Sequence, residues 1–115
     1  MTSGASTPEE LESQLEDAFV IGDHTALGLM FDRGAVLVAG PNASEARGDR
    51  DIARLTRAMW DRGYRYVADP RRVLQAGDTA LVVAEQALCV MRRGTDRSWR
   101  YAISILDDTT RGDKR

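Results

Sequence analysis

The stretch Gly40-Pro41-Asn42-Ala43-Ser44-Glu45-Ala46-Arg47-Gly48 decides the predicted fold, because it separates two short helical patterns from a third helix and a run of strands. Its Gly, Pro and Asn residues predict a loop that contains one short extended piece at most. The apolar run 35–39 before the loop is typical of a buried strand. Helices that precede a series of strands indicate an α+β fold, in which a cone-shaped, curved antiparallel sheet packs on three N-terminal helices.

The boundaries of the helices follow from local signals. Thr7, followed by Pro8 and three residues later by Glu10, has the pattern of an N-cap with a capping box. Gly22 should end this helix, and Asp23 should cap a second one that runs as far as Gly34. The third helix begins at Asp49 or Asp51 and ends at Gly63. The apolar residues on the inward helical faces are Leu11, Leu15, Ala18 and Phe19, then Ala26, Leu27, Met30 and Phe31, then Ile52, Leu55 and Met59, with Trp60 as an open case.

The second half of the chain predicts strands joined by tight turns. Residues 64–76 should be extended, with Asp69-Pro70 requiring an edge position, a bulge or a break. Gly77-Asp78 indicates a hairpin turn, and residues 79–91 are the longest strand candidate. Residues 99–106 alternate, so that Trp99, Tyr101, Ile103 and Ile105 should share one face, with Arg100, Ala102 and Ser104 on the other.

Bulk properties exclude several classes of function. A chain of 115 residues predicts one domain, assigned to residues 7–108, with a disordered segment 1–6 and a flexible tail 109–115. The net charge of −2 gives no electrostatic reason to expect nucleic acid or a membrane as partner. The single Cys89 and the single His24 argue against a disulfide, a metal site and a Ser-His-Asp triad. No signal peptide, membrane span or phosphate-binding glycine loop is present, so we expect a cytoplasmic protein without a cofactor.

A set of short motifs resembles one known superfamily. The chain is similar over residues 9–107 to the nuclear transport factor 2-like (NTF2-like) superfamily, which includes ketosteroid isomerase-like enzymes and SnoaL-like cyclases. This superfamily hosts unrelated functions, so the resemblance implies the fold more than the chemistry. The motifs that carry it are Ile21-Gly22-Asp23, Met30-Phe31-Asp32, Ala35-Val36-Leu37-Val38, Glu45-Ala46-Arg47-Gly48 with Asp51-Ile52, Ala76-Gly77-Asp78-Thr79-Ala80-Leu81-Val82, and Ser98-Trp99-Arg100-Tyr101-Ala102-Ile103.

The resemblance also implies where catalytic groups of ketosteroid isomerase-like enzymes would lie. The position of their carboxylate base falls at Gly40, that of their helix tyrosine at or near Leu15, and that of their protonated strand acid near Cys89. All three polar groups are absent here, so steroid isomerisation by that route is not expected. Many relatives carry an acid where this chain has Ser104. The chain is also shorter before Arg92-Arg93, so either one strand is missing or two strands are shortened and fused.

The remaining candidates are residues that could act in an apolar pocket. Asp32 and Asp107 are the carboxylates nearest the expected pocket ends, where burial could make either an acid. The hydroxyl of Tyr101 could polarise a carbonyl oxygen, as could Tyr64 or Tyr66. Each of these residues could equally have a structural role only. The residues expected to line the pocket are Leu15, Phe19, Val38, Gly40, Met59, Trp60, Tyr64, Cys89, Met91 and Ser104.

Two functions remain open. The first is a cofactor-independent isomerase, cyclase or dehydratase that acts on a small hydrophobic molecule in the pocket. The alternative is a non-catalytic module that binds a hydrophobic ligand or dimerises. Apolar residues on both faces of the predicted strand 79–91 favour a homodimer through the outer face of the sheet, because one face covers the helices and the other would be exposed.

Overall fold

Three helices and six strands make up the part of the chain that the computed structural model describes, which is residues 4–40 and 42–106. Asp107 and the predicted tail therefore lie outside the described residues. In chain order, the elements are α1 (Pro8–Ile21), α2 (His24–Leu29), β1 (Phe31–Ala39), β2 (Ser44–Arg47), α3 (Gly48–Asp61), β3 (Pro70–Ala76), β4 (Thr79–Ala84), β5 (Ala87–Arg93) and β6 (Trp99–Leu106).

The six strands form one curved, unclosed sheet in the order β2-β1-β6-β5-β4-β3. Four of its five pairs are antiparallel, whereas β1 and β6 are parallel. The expected α+β class with a curved sheet on three helices is confirmed, but the sheet is mixed rather than wholly antiparallel. A parallel pair needs a long crossover connection, and here that connection consists of β2, α3 and the meander β3 to β5.

The caps of α1 form as predicted, except that one hydrogen bond of the capping box has a different donor. The Thr7 hydroxyl oxygen accepts a hydrogen bond from the Glu10 amide at 3.0 Å. The Glu10 carboxylate accepts from the amide of Ser6 at 2.7 Å, where a standard capping box would use the amide of Thr7. Gly22 ends the helix in the left-handed conformation with φ 70°, and the Asp23 carboxylate caps α2 through the Ala26 amide. These local signals determine where α1 begins and ends and where α2 begins.

The second helix is shorter than the sequence predicts. It ends at Leu29 instead of Gly34, and β1 begins at Phe31. The reason is tertiary, because Phe31 pairs with Tyr101 of β6 and the two rings contact each other in a tilted arrangement, with 5.3 Å between their centroids. The next pair along the two strands is Val36 with Ile103, so residues 32–35 lie opposite Ala102 alone. Gly34 therefore lies within an irregular part of β1.

The strand predicted over residues 79–91 is two strands. The chain turns at Glu85-Gln86, and β4 and β5 pair with Val83 opposite Leu88. The sheet consequently contains two short, separate strands here, so the alternative in which two strands are fused is wrong. The segment predicted to be extended from residue 64 becomes a regular strand only at Pro70. The predicted Gly77-Asp78 turn is confirmed, since Ala76 pairs with Thr79.

A β-bulge at Ala102 reverses the side-chain alternation of β6. Met91 of β5 pairs with Tyr101, and the next pair is Val90 with Ile103, so Ala102 is an extra residue. Before the bulge, Trp99 and Tyr101 are buried; after it, Ser104 and Leu106 are buried. Ile103 and Ile105 are 44% and 42% exposed on the outer face. The prediction that all four apolar residues of this strand share one face is therefore wrong beyond Ala102.

The core lies between the inner face of the sheet and the apolar faces of α1 and α3. Leu15, Met59 and Met91 are fully buried there. Ala5, in a segment for which the sequence predicts disorder, is also buried and accepts a hydrogen bond from the Trp99 amide at 2.9 Å. Among the described helices, none combines the length and apolar composition that crossing a membrane requires.

Trp60 covers the junction between α1 and α2 instead of facing the core. Its side chain is 39% exposed, and its indole nitrogen donates a hydrogen bond to the Phe19 carbonyl at 2.9 Å. The ring lies so close to Gly22 that a Cβ atom there would be 2.6 Å from it. Glycine at this position therefore serves two purposes, since it adopts a positive φ and leaves room for the indole.

We predict that Gly22→Ala destabilises the protein more than Gly77→Ala. Both glycines have a positive φ, but a Cβ at Gly77 meets open space, so Gly77→Ala should cost only the backbone term of about 1–2 kcal/mol. Gly22→Ala should lose roughly 1–3 kcal/mol more, because Trp60 must move. Urea unfolding followed by circular dichroism measures both changes, and equal losses would contradict the packing described for Trp60.

Candidate functional site

A buried polar cluster connects α1, the irregular segment 62–69 and the last two strands of the sheet. We name it the Glu12 cluster, and it consists of Glu12, Tyr66, Cys89, Tyr101 and Ser104. The side chains come from four separate parts of the chain and meet inside an otherwise apolar core. All five residues are 4% exposed or less.

Glu12 is the centre of this cluster. The Tyr101 hydroxyl donates to Glu12 Oε2 at 2.6 Å, and the Tyr66 hydroxyl donates to Glu12 Oε1. Each carboxylate oxygen thus has a hydrogen-bond donor, as a charged group in an apolar core requires. One helical turn further on, Glu16 Oε1 accepts from the amide of Ala68 at 2.9 Å. The two glutamates together hold segment 62–69 against α1.

Cys89 and Ser104 form the second part of the cluster. The two residues are directly opposite each other on β5 and β6, with 3.6 Å between the sulfur and the hydroxyl oxygen. Tyr101 and Ser104 are three residues apart, so in a regular strand they would point to opposite faces. The bulge at Ala102 turns both inward, and the cluster exists because of it.

Burial and the Glu12 charge shift the titration of the neighbouring groups. Burial is the main cause that raises the pKa of Tyr66, Tyr101 and Cys89, and the Glu12 carboxylate is the next. The pKa of Cys89 rises to about 12, although its contact with Ser104 acts in the opposite direction. Both phenols therefore stay protonated at neutral pH and remain hydrogen-bond donors.

This arrangement contains the parts of an acid–base site. A carboxylate can accept a proton from a carbon acid, and a neutral phenol can donate a hydrogen bond to an oxygen that gains negative charge. In this structure, both phenols donate to the carboxylate itself. A substrate oxygen would have to replace the carboxylate as partner of one of them.

Of the three predicted catalytic residues, the structure places only Tyr101 in the cluster. The carboxylate that Tyr101 contacts belongs to Glu12, not to Asp32. Asp32 lies in the irregular part of β1, and its Oδ2 is 3.5 Å from an Arg92 guanidinium nitrogen. Arg92 follows the inward-facing Met91 and so belongs to the outer face. Asp32 is therefore an ion-pair partner on the other side of the sheet, and Asp107 is outside the described residues.

The ten predicted pocket residues divide into two groups. Seven of them are buried in the core, namely Leu15, Phe19, Met59, Tyr64, Cys89, Met91 and Ser104. Val38 is on the outer face, because it alternates with the buried Leu37 and Ala39. Gly40 forms the turn after β1, where its carbonyl accepts from the Ala43 amide at 3.0 Å. With Trp60 at the helix junction, these three are corrections to the sequence prediction.

The ten residues do not line the cleft of about 660 Å³ that the structure contains. That cleft lies beside α1 and α2, and none of the five residues of the Glu12 cluster lines it. The seven buried residues pack as core side chains, so the open interior pocket expected from the sequence is not formed by them in this structure. Among residues 4–40 and 42–106, no group of three or more His, Cys, Asp or Glu side chains could hold a metal ion.

The sequence reasoning missed Glu12, although a signal for it exists. Glu12 is three residues before Leu15 and seven before Phe19, so it falls on the apolar face of α1. A charged residue on such a face is almost never fully buried unless it is paired. That rule could have directed a search for its partners, but it could not have identified Tyr66 and Tyr101 among the tyrosines.

We predict that the Cys89 thiol of the folded protein resists alkylation. A pKa of about 12 instead of 9.0 lowers the thiolate fraction near pH 8 by roughly a thousandfold, and burial blocks the reagent. Mass spectrometry after iodoacetamide treatment should show an unmodified native chain, and complete modification in concentrated urea. Rapid modification of the native protein would show that the cluster is open to solvent.

Solved structures resemble this chain over nearly its whole length. A candidate calcium/calmodulin-dependent protein kinase type II association domain from Thiobacillus denitrificans superposes with a TM-score of 0.76 and 17% identity, covering 92% of this chain and 98% of that one. A ketosteroid isomerase-like protein from Erwinia carotovora atroseptica gives 0.71 and 18%, covering 86% and 91%. A candidate dehydratase from the NTF2-like family of Streptomyces avermitilis gives 0.61 and 17%, covering 84% and 90%.

Neither a protein-family model nor a curated protein sequence matches the chain. The likeness is therefore one of structure at low sequence identity, and it shows the fold rather than the chemistry. The order of the helices and strands, the curved open sheet and these structural neighbours agree with the resemblance seen in the sequence. The chain has the NTF2-like fold.

Proposed function

We propose that the protein is a cofactor-independent acid–base enzyme that acts on a small hydrophobic carbonyl compound, with the Glu12 cluster as its catalytic centre. The observation that carries this proposal is a buried carboxylate whose two oxygens each accept a hydrogen bond from a tyrosine. Desolvating a carboxylate costs several kcal/mol, so apolar side chains would fill the same space at least as well. Ionisable groups retained in such an environment are concentrated at functional sites.

The reaction class follows from the groups present. Glu12 takes a proton from the carbon beside the substrate carbonyl, while Tyr66 or Tyr101 donates a hydrogen bond to the carbonyl oxygen as it gains charge. Glu12 then returns the proton to a different carbon, which isomerises the substrate, or gives it to a β-hydroxyl group that leaves as water, which dehydrates the substrate. Both reactions balance without an oxidant or a reductant. The names of the Erwinia and Streptomyces neighbours are compatible with this class.

On this proposal, a substrate reaches Glu12 by displacing part of segment 62–69. This irregular segment covers the carboxylate, and two hydrogen bonds attach it to α1: one from Tyr66 to Glu12 and one from Ala68 to Glu16. A substrate carbonyl that takes over the Tyr66 hydroxyl would release one of these bonds and make space beside Glu12. Tyr66 would then donate a hydrogen bond to the substrate and also form part of the segment that covers Glu12.

We expect Glu12→Gln to abolish proton transfer, because an amide cannot act as the base. The purified protein would be screened against small hydrophobic β,γ-unsaturated ketones and β-hydroxy ketones by the absorbance of the conjugated enone that each would form. On a substrate that the wild type converts, Glu12→Gln should lower the rate by about 10²–10⁴-fold. Tyr66→Phe and Tyr101→Phe should each lower it less.

Glu16→Gln is the matched control, since Glu16 lies one helical turn away and contacts a backbone amide instead of the tyrosines. It should keep most of the activity. A thermal melt of each variant separates loss of the base from loss of the fold. Full activity in Glu12→Gln, or no turnover of any carbonyl compound by the wild type, would contradict the proposed enzymatic function.

A second candidate function rests on the outer face of the sheet. Apolar side chains form two rows: one across five strands, with Leu74, Leu81, Val90, Ile103 and Val36, and one across four strands, with Val83, Leu88, Ile105 and Val38. Leu74, Leu88, Ile103 and Ile105 are 48%, 42%, 44% and 42% exposed. A contiguous apolar face of this kind marks an interaction surface. On this alternative the protein is a dimerisation module.

The charges at the ends of the second row favour a second copy of the chain as the partner. Arg72 pairs with Val83 at the β3 end of the row, and Glu45 pairs with Val38 at the β2 end. If two sheets pack face to face about a two-fold axis parallel to the strands, the β3 edge of each lies over the β2 edge of the other. Arg72 of each copy then faces Glu45 of its partner, so the face is self-complementary.

We predict that Leu88→Arg converts a dimer to a monomer in sedimentation velocity, because both arginines would be buried beside the axis, each opposite the apolar Ile105 of the other copy. Val20→Arg is the control, since Val20 is 62% exposed on α1 and belongs to neither row. It should leave the sedimentation coefficient unchanged. A wild type that is monomeric at micromolar concentration would refute the dimer.

A further inference from the structure

The cleft of about 660 Å³ lies between α1, α2 and the turn that joins β5 to β6. We name it the α1–α2 cleft. Its volume is within the range of about 300–1,000 Å³ that is usual for small-molecule sites. None of the five residues of the Glu12 cluster lines it, so it is a separate feature of the molecule.

The walls of the cleft are apolar and well defined. Leu11, Ala18 and Met30 line it as buried residues, whereas Ile21 and Leu29 also line it but are 71% and 72% exposed. These exposed side chains adjoin the apolar walls and extend them, and a contiguous apolar surface of this kind is typical of ligand-binding grooves. The cleft therefore offers apolar contact both inside and at its edge.

The N-terminal segment closes one side of the cleft. Ala5 pairs with Trp99, and the Trp99 amide donates to the Ala5 carbonyl at 2.9 Å. Gly4 packs so tightly that a Cβ atom there would lie 2.5 Å from the Ser98 hydroxyl oxygen. Both pairs of residues line the cleft. This wall thus depends on a short strand-like contact that a larger residue at position 4 would disturb.

The charges around the cleft are mainly negative. Asp17, Asp23 and Asp96 line it, against the single guanidinium of Arg100. Asp96 is paired with Arg100 at 2.8 Å, and Asp23 caps α2 through the Ala26 amide. Within the described part of the chain, Asp17 has no hydrogen bond and no ion pair. The cleft therefore combines apolar walls with one carboxylate that is free to pair with a cation.

We infer that the α1–α2 cleft binds a small amphiphilic amine, with its apolar part against Leu11, Ala18 and Met30 and its ammonium group at Asp17. An anionic amphiphile would meet an excess of negative charge, and a neutral one would leave Asp17 unpaired. The inference does not depend on the Glu12 cluster, because it uses different residues on the other side of α1. Its ligand is distinguished from the proposed substrate by its positive charge.

The test compares three probes with the same chain length: n-octylammonium, 1-octanol and octanoate, each below the concentration at which it aggregates. Titrations followed by ¹H–¹⁵N correlation spectra of the full-length protein give both affinity and location. Octylammonium should bind about tenfold more tightly than octanoate, with octanol between them. The amide signals of Ala26 and Met30 and the indole signal of Trp99 should shift.

Two variants locate the interaction. Asp17→Asn should weaken octylammonium binding about two- to fivefold, as expected for a partly exposed ion pair, and leave octanol binding unchanged. Asp61→Asn is the matched control, because Asp61 is an exposed carboxylate in the last turn of α3, outside the cleft. Ala26→Phe should fill the cleft and weaken the binding of all three probes.

The inference is overturned if octanoate binds as tightly as octylammonium, if Asp17→Asn has no more effect than Asp61→Asn, or if the shifts map to Leu88 and Ile103 on the outer sheet face. Because Asp17 is exposed on a helix surface, Asp17→Asn should fold normally, which a thermal melt verifies. Failure of this test leaves the enzyme proposal intact, and loss of activity in Glu12→Gln has no bearing on the amine site.

Discussion

The β-bulge at Ala102 is the constraint on which both faces of the sheet depend. One extra residue between Tyr101 and Ile103 changes which side chains of β6 point inward. Tyr101 and Ser104 both enter the core, where they meet Glu12 and Cys89. Ile103 and Ile105 turn outward and complete the apolar rows. Without the extra residue, Ser104 would face solvent and the isoleucines would compete with α1 for the interior.

The Glu12 cluster explains why segment 62–69 is ordered without regular structure. Its backbone lacks the hydrogen bonds of a strand, so side chains must fix its position. The Tyr66 hydroxyl and the Ala68 amide use two glutamates one turn apart on α1 for this purpose. The same bonds satisfy the carboxylate of Glu12. Structure and candidate chemistry are linked in the proposed reaction, because a substrate that takes over the Tyr66 hydroxyl would release a hydrogen bond that holds segment 62–69 against α1.

The molecule has three separate regions of interest in one small domain. The interior holds a hydrogen-bonded carboxylate, the outer sheet face is apolar with opposite charges at its two ends, and the α1–α2 cleft is apolar with a free carboxylate at its edge. The interactions proposed for them differ: proton transfer for the first, apolar burial for the second and pairing with a cation for the third. Because α1 contributes to both the interior and the cleft, its two faces have different roles.

The sequence by itself determined the parts that local chemistry controls. The Thr7 cap, the end of α1 at Gly22, the Gly77-Asp78 turn and the limits of β6 all follow from residues within a few positions of each other. Tertiary structure alone decided the parallel pairing of β1 with β6, the bulge at Ala102 and the burial of Glu12. All three depend on contacts between distant parts of the chain, and the burial of Glu12 depends on contacts with Tyr66 and Tyr101 across 54 and 89 positions. Local periodicity carries no information about such contacts. The chain has three tyrosines, and only tertiary packing determines which two donate hydrogen bonds to Glu12.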